Sequence, residues 1–211
     1  MSTPLKPIQQ RQDVRENIIE QASTLFHQRG IRNVTMDDIA HAMTMSKRTL
    51  YQIFTDKEQL LLACVENHEH EMQQTLEQIF HNTDNVLSFL LRVFGSKMKE
   101  LDEVQSAFYA DIHKFPKVVA HIKAHQKAQE DESVEFLNKG IEQGMFRSDV
   151  NFRIVARQLA ANFDSVVHNG LVNEYSQREI FVNTVIPYIR GCATLKGIEM
   201  IDAFLDAEMN E

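Results

Sequence analysis

The sequence predicts an all-α protein: a head of three short helices that forms a helix-turn-helix, followed by a larger helical body. Three observations carry that prediction. Apolar residues recur at helical spacing from Val14 almost to the end, and no stretch alternates as a strand would. Hydroxyl residues that can cap helices stand ahead of apolar runs, as at Thr35, Ser46, Thr55 and Ser176. Glycine and proline are scarce, seven and four in 211 residues, too few for a turn-rich β architecture.

Residues 1–10 show no amphipathic period and read as a flexible arm. Val14, Ile18, Ala22, Leu25 and Phe26 then form a helical stripe that stops near Gly30, as glycine does just past a last turn. Thr35 with Asp38 is a capping-box-like start for a helix carrying Ile39, Ala40 and Met43. Thr44-Met45 leaves room only for a tight turn. Ser46 caps the next helix, whose inward side is Leu50 and Phe54 with Ile53 beside them. Thr55-x-x-Glu58 is another capping-box signature and opens a long helix through Leu61, Val65, Met72 and Ile79. Residues 82–85 break it. Amphipathic stretches follow at 86–98, at 104–114 (closed by Pro116) and at 117–144. Asp149 is expected to cap a run built on Ile154, Val155, Leu159, Phe163, Val166 and Val167. Ser176-x-x-Glu179 caps the last long helix, through Val182, Val185, Ile186 and Ile189, where Pro187 predicts a kink or a break. Gly191 and Gly197 bracket a turn before a short terminal helix at 198–209.

The stretch from Thr35 to Lys57 points to chemistry. Two short helices with a minimal turn between them leave Lys47, Arg48, Thr49, Tyr51 and Gln52 off the inward face of the second. A helix of this diameter fits the DNA major groove, and side chains of its first turns reach base edges. The expectation is a helix-turn-helix DNA reader.

The same residues carry a resemblance. Thr35-x-x-x-Ile39-Ala40, then Ser46-x-x-Thr49-Leu50-Tyr51-x-x-Phe54-x-x-Lys57-Glu58-x-Leu60, resembles the N-terminal domain of the TetR/AcrR family of one-component regulators, and the likeness spans residues 11–62. It implies a DNA-binding domain at 11–56 and an effector-binding and dimerisation domain at 57–211. It also implies that Tyr51 and Lys57 clamp phosphate and that Thr35 contacts it. With the capping Ser46 and with Lys47, Arg48, Thr49 and Gln52, these are the candidate DNA-binding residues. One position departs from the pattern. The family usually has glycine where this chain has Thr44, and a β-branched residue at positive φ is strained.

Charge is divided along the chain. Residues 1–58 carry eight Lys/Arg and seven Asp/Glu, a net of +1, and the rest fourteen and twenty-three, a net of −9, so the negative charge of the chain, −8 in total, lies in the body. A nearly neutral head predicts modest non-specific attraction to phosphate and leaves specificity to base contacts. Cys64 and Cys192 form no disulfide or zinc pattern. No signal peptide and no apolar run of about 20 residues is present, so a soluble, cytoplasmic protein without membrane partners is expected.

His121 and His125 stand four apart on a helix, as two metal ligands can. No carboxylate or cysteine completes such a site, and Lys123 and Lys127 disfavour a cation, so no metal is expected. No nucleophile elbow, phosphate-cradling loop or metal triad supports an enzyme, and no cofactor is implied. The body's phenylalanines and methionines suit a core and an adaptable apolar pocket, but no pattern assigns an effector site. The stripes on the last two long helices predict a homodimer interface through Val155, Leu159, Phe163, Val166, Val182, Val185, Ile186 and Ile189. The resemblance implies a repressor released from a palindromic operator by a small-molecule effector. An activator of the same architecture, or a helical ligand carrier that no longer binds DNA, is the alternative.

Overall fold

The computed structural model describes residues 7–101, 104–171 and 174–209, and the long elements among them are all helices. They are α1 (Pro7–Arg29), α2 (Met36–Ala42), α3 (Lys47–Ile53), α4 (Lys57–His81), α5 (Val86–Leu101), α6 (Ser106–Ile112), α7 (Pro116–Glu142), α8 (Phe152–His168), α9 (Gln177–Cys192) and α10 (Leu195–Met209). Extended pairing among the described residues is one isolated bridge, Phe146 to Ala193.

Helix ends follow local chemistry, and several differ from expectation. α1 begins at Pro7, inside the expected arm, because proline suits a helix's first turn; residues 1–6 of that arm lie outside the described residues. The cap of α4 is one residue later than Thr55-x-x-Glu58. Asp56 accepts the N–H of Gln59 at 2.7 Å, and Gln59 Oε1 in return accepts the Thr55 N–H at 2.6 Å. Glu58 is thereby released to accept the Lys117 N–H at 2.9 Å, in the first turn of α7. Asp149 does not cap α8. It pairs with Arg147, and Asn151 accepts the N–H groups of Arg153 and Ile154. Ser176 and Glu179 do form the capping box of α9. Pro187 lies inside α9 without ending it. α10 starts before Gly197, whose N–H donates to the Thr194 hydroxyl.

The chain divides into two compact units. One is Met1–Met72 with Val104–Ile122, the other Gln73–Glu103 with Lys123–Glu211. The dividing lines fall within α4 and α7, and the first unit takes in α6, well beyond the expected boundary at residue 56. Its core is built from Ile18, Ala22, Phe26, Ile39, Leu50, Phe54, Leu60 and Leu61, joined from α7 by Val118. Each of these sits on the predicted inward stripe or adjoins it. Burying such side chains contributes about 1.5–3 kcal/mol apiece, which is how two seven-residue helices, too short to persist alone, are held in place. The second unit packs Val86, Leu87 and Leu91 with Phe146, Phe152, Phe181, Ile186 and Ile201.

The expected dimer-interface residues are placed unequally. Val166, Ile186 and Ile189 are buried by their own chain, so they underlie any contact surface. Val155, Leu159, Val182 and Val185 are half-buried, and the side chain of Phe163 lies outside the described residues. Among the described residues of α8 and α9, Ile154, 64% exposed, and Tyr188, 37%, are the large apolar groups left open to solvent.

Candidate nucleic-acid interface

Helices α2 and α3 are joined by a turn that uses nearly every backbone donor in it. The Thr44 N–H donates to His41 O at 3.0 Å, and the Met45 N–H to Ala40 O at 2.9 Å. Those two bonds are the Schellman pattern, which closes a helix only if the residue just past the end turns left-handed. Thr44 does so, at φ +53°. Gly144 closes α7 with the same pair of bonds at φ +70°, the conformation a glycine adopts readily. The turn at Thr44 therefore keeps the geometry that a glycine would give, and the threonine bears the strain. Thr44 is the one non-glycine residue at positive φ among those described.

Both motif helices are capped as the sequence predicts. Thr35 accepts the Asp38 N–H at 3.1 Å, and the Asp38 carboxylate accepts the Thr35 N–H at 2.7 Å and its hydroxyl at 2.6 Å. The hydroxyl and then the backbone bond hold the Asp38 carboxyl below the usual carboxylate range. Both hydrogen-bond donors of Thr35 are thus engaged inside the protein, and a phosphate contact by Thr35 requires one of them to exchange partners. Ser46 accepts the Thr49 N–H at 3.1 Å, and the two hydroxyls are bonded at 2.8 Å.

Leu50 and Phe54, both buried, fix the orientation of α3. With that face inward, Ser46, Lys47, Arg48, Thr49, Tyr51 and Gln52 are all exposed, and Ile53 is half-buried at the junction. The structure thus brings six of the eight sequence-predicted residues onto the open side of α3 and its cap, with Thr35 exposed at the start of α2. Lys57 differs. Its side chain is half-buried and its ammonium lies 5.9 Å from the centre of the Phe26 ring. Burial lowers its pKa, with the carboxylates of Asp111 and Asp38 acting in the opposite sense.

Sequence reasoning missed two partners of this surface. Asp37, in the first turn of α2, makes an ion pair with Lys47. An acid ten residues ahead of a lysine gives no signal until the turn is known to be tight. Arg15 on α1 places its guanidinium 5.3 Å from the centre of the Phe54 ring, a cation–π contact with no local sequence signature.

Elsewhere the chemistry is quiet. His121 bonds Glu69 at 2.8 Å and His125 bonds Gln129, and no group of three metal-ligating side chains occurs among the described residues. Burial pushes the Cys64 thiol up to about 11, so it stays protonated near neutral pH. An open groove of about 410 Å³ between α9 and α10 is lined by Arg178, Glu179, Val182, Asn183 and Leu205. Among the described residues no helix is long and apolar enough to cross a membrane.

Residues 18–64, which hold this motif and its supporting helices, match the model of the bacterial regulatory proteins of the tetR family. That segment is a DNA-binding domain of the TetR/AcrR type. The chain is 28% identical over 149 residues to the HTH-type transcriptional repressor KstR2 of Mycobacterium tuberculosis, covering 68% of this chain and 74% of that one. The fold is shared with a TetR-family regulator from Agrobacterium tumefaciens, with a TM-score of 0.70 at 18% identity over 87% of this chain and 99% of the other. It is shared as well with a regulator from Saccharomonospora viridis solved in complex with choline, with a TM-score of 0.68 at 19% identity over 87% and 99%. The chain is a DNA-binding regulator of transcription, and its helix-turn-helix is the α2–α3 pair.

Proposed function

We propose that this regulator is a repressor that binds a palindromic operator as a homodimer and leaves it when a small molecule binds the helical body. The observation that carries the reading is the open side of α3, where Arg48, Tyr51 and Gln52 stand exposed beside Lys47 on a helix whose other face is locked by Leu50 and Phe54. A recognition helix has to be rigid on one side and unencumbered on the other. Repression is supported by the naming of KstR2, the relative matched over most of this chain, as a repressor. A small-molecule effector is supported by the choline-bound regulator of the same fold.

As physics, the effector acts by binding better to the state of the dimer that fits DNA poorly, and it lowers operator affinity by the ratio of those two affinities. The protein has no catalytic role in this reading. The test is a gel-shift series with duplexes from upstream of the protein's own gene, followed by footprinting of any fragment that shifts. A protected palindrome, with transcription rising when the gene is deleted, supports repression. Falling transcription on deletion would favour the activator, and no shifted fragment would favour the ligand carrier.

A further inference from the structure

Asp37 and Lys47 belong to different helices of the reading motif, yet their side chains are joined. The carboxylate in the first turn of α2 holds the ammonium in the first turn of α3. The carboxylate of its neighbour Asp38 is turned back onto Thr35 in the capping box of α2, so Asp37 is the carboxylate of this helix directed at the reading helix. Both partners are more than half exposed, at 63% for the Lys47 side chain and 53% for Asp37. A pair so exposed adds little to stability. Its consequence concerns DNA.

We propose that Asp37 is a specificity-determining residue of the nucleic-acid interface, acting through Lys47 by fixing the direction of its ammonium and withholding it from indiscriminate contact with phosphate. The inference rests on the DNA-binding reading above. A lysine is a compact charge on a flexible four-carbon stem, and one that swings freely is drawn to whichever phosphate is nearest. Those contacts strengthen binding to every sequence alike and discriminate none. With one of its three N–H donors given to Asp37, the ammonium keeps two for a base acceptor that lies in the held direction. Reaching a phosphate away from that direction requires giving up the carboxylate. Arg48, next along the helix, is exposed and outside this pairing, so the two cations of the reading helix differ in freedom. The near-neutral charge of residues 1–58 has the same effect on a larger scale, since each carboxylate near the groove lowers sequence-independent attraction.

The full chain is assayed against a short duplex of scrambled sequence over a range of salt, and against a pool of randomised duplexes for the motif it enriches. Asp37→Asn should bind the scrambled duplex roughly three- to tenfold tighter at moderate salt, with a salt slope steeper by about 0.9, one extra phosphate contact. Its enriched motif should be more degenerate than the wild type's at one or two positions of each half-site. Asp37→Glu keeps a carboxylate within reach and should restore wild-type behaviour. In a Lys47→Ala background, Asp37→Asn should add nothing. If Asp37 served only to stabilise the start of α2, Asp37→Asn would lower thermal stability and leave slope and motif untouched, which overturns the proposal. A gain in affinity that persists undiminished beside Lys47→Ala overturns it too, because Asp37 would then act on phosphate directly. Asp37→Ser makes the same test if the asparagine variant does not fold. Wild-type protein that enriches no sequence would instead defeat the DNA-binding reading, a result distinguishable from unchanged binding by the variants.

Discussion

The carboxylate of Asp111 on α6 accepts the backbone N–H of Arg32, just before α2, at 2.8 Å. Asp111 is also the buried charged side chain among the described residues, and its second oxygen holds the Lys114 ammonium at 2.9 Å. Around this bond the Gln105 N–H donates to His27 O at 3.0 Å, and the His27 ring meets Phe108 edge-on at 4.7 Å. Helix α6 therefore grips the end of α1 and the segment that leads into the reading motif. Part of what positions the motif lies about eighty residues further along the chain.

Replacing Asp111 by alanine removes the acceptor for the Arg32 N–H and should destabilise this unit by about 1–3 kcal/mol, measurable by urea denaturation. Burial pushes the Asp111 carboxyl up, but the bonds from Lys114 and Arg32 outweigh it and leave the pKa lowered. A carboxylate whose folded pKa lies below its unfolded value stabilises the fold above the unfolded value. That stabilisation is lost as pH falls through the folded one. Wild-type stability should thus decline below about pH 4, and Asp111→Asn should flatten that decline while lowering stability at pH 7.

Gly30 permits the grip. Its φ is +77°, and a Cβ built there would lie 2.9 Å from the Cβ of Ala107 on α6. Gly30→Ala meets both a backbone penalty and a collision, so it should cost about 2–4 kcal/mol. Adding Ala107→Gly removes the collision and leaves the backbone strain. The double variant should recover part of the stability lost by Gly30→Ala, and full recovery would show that the left-handed backbone carries no penalty.

Thr44→Gly should raise stability by roughly 0.5–1 kcal/mol. A left-handed conformation costs a non-glycine residue about 1–2 kcal/mol, and the added freedom of glycine in the unfolded chain offsets part of the gain. Thermal melting measures it. Because the turn already has the glycine geometry, operator affinity should not change, and a large change would mean that the Thr44 side chain itself touches DNA.

Most of the motif was legible in the sequence because its causes are local. The boxes at Thr35 and Ser176 and the cap at Ser46 were found from hydroxyls spaced three residues from their partners, and the head's core from apolar spacing. Local reasoning failed where a neighbour competed for the same role. Asp56 displaced Thr55 as the cap of α4, and Asn151 displaced Asp149, whose carboxylate Arg147 takes. The long-range contacts, Asp111 with Arg32 and Arg15 over Phe54, left no local pattern to read. Lys57 was legible as a candidate phosphate ligand, but its half-buried position over Phe26 follows from the packing of α4 on α1.

That position makes Lys57 and Tyr51 separable by experiment. Tyr51, 47% exposed on α3, should contribute a neutral hydrogen bond to phosphate. Tyr51→Phe should weaken binding to all sequences alike without altering the salt slope. Lys57→Ala should reduce the slope by about 0.9. It should also lower the melting temperature, because the stem and its contact with the Phe26 ring are lost. A changed base preference in either variant would remove that residue from the phosphate contacts.

The proposed dimer makes the last test. In the second unit, Val166, Ile186 and Ile189 are already buried by their own chain, so a partner would rest on the half-buried residues of α8 and α9, Leu159 among them. A two-fold axis there would bury the same patch twice and present two reading helices to one side of a duplex, with half-sites about one helical turn or a multiple apart. Leu159→Glu would set two like charges near the axis. Sedimentation should find monomers, while the helical circular dichroism stays unchanged because the side chain is not part of the deep core. The monomer should lose tight operator binding, since a single half-site makes too few contacts. A stable Leu159→Glu dimer would remove Leu159 from the centre of the interface, and tight, specific binding by a proven monomer would remove the need for two heads.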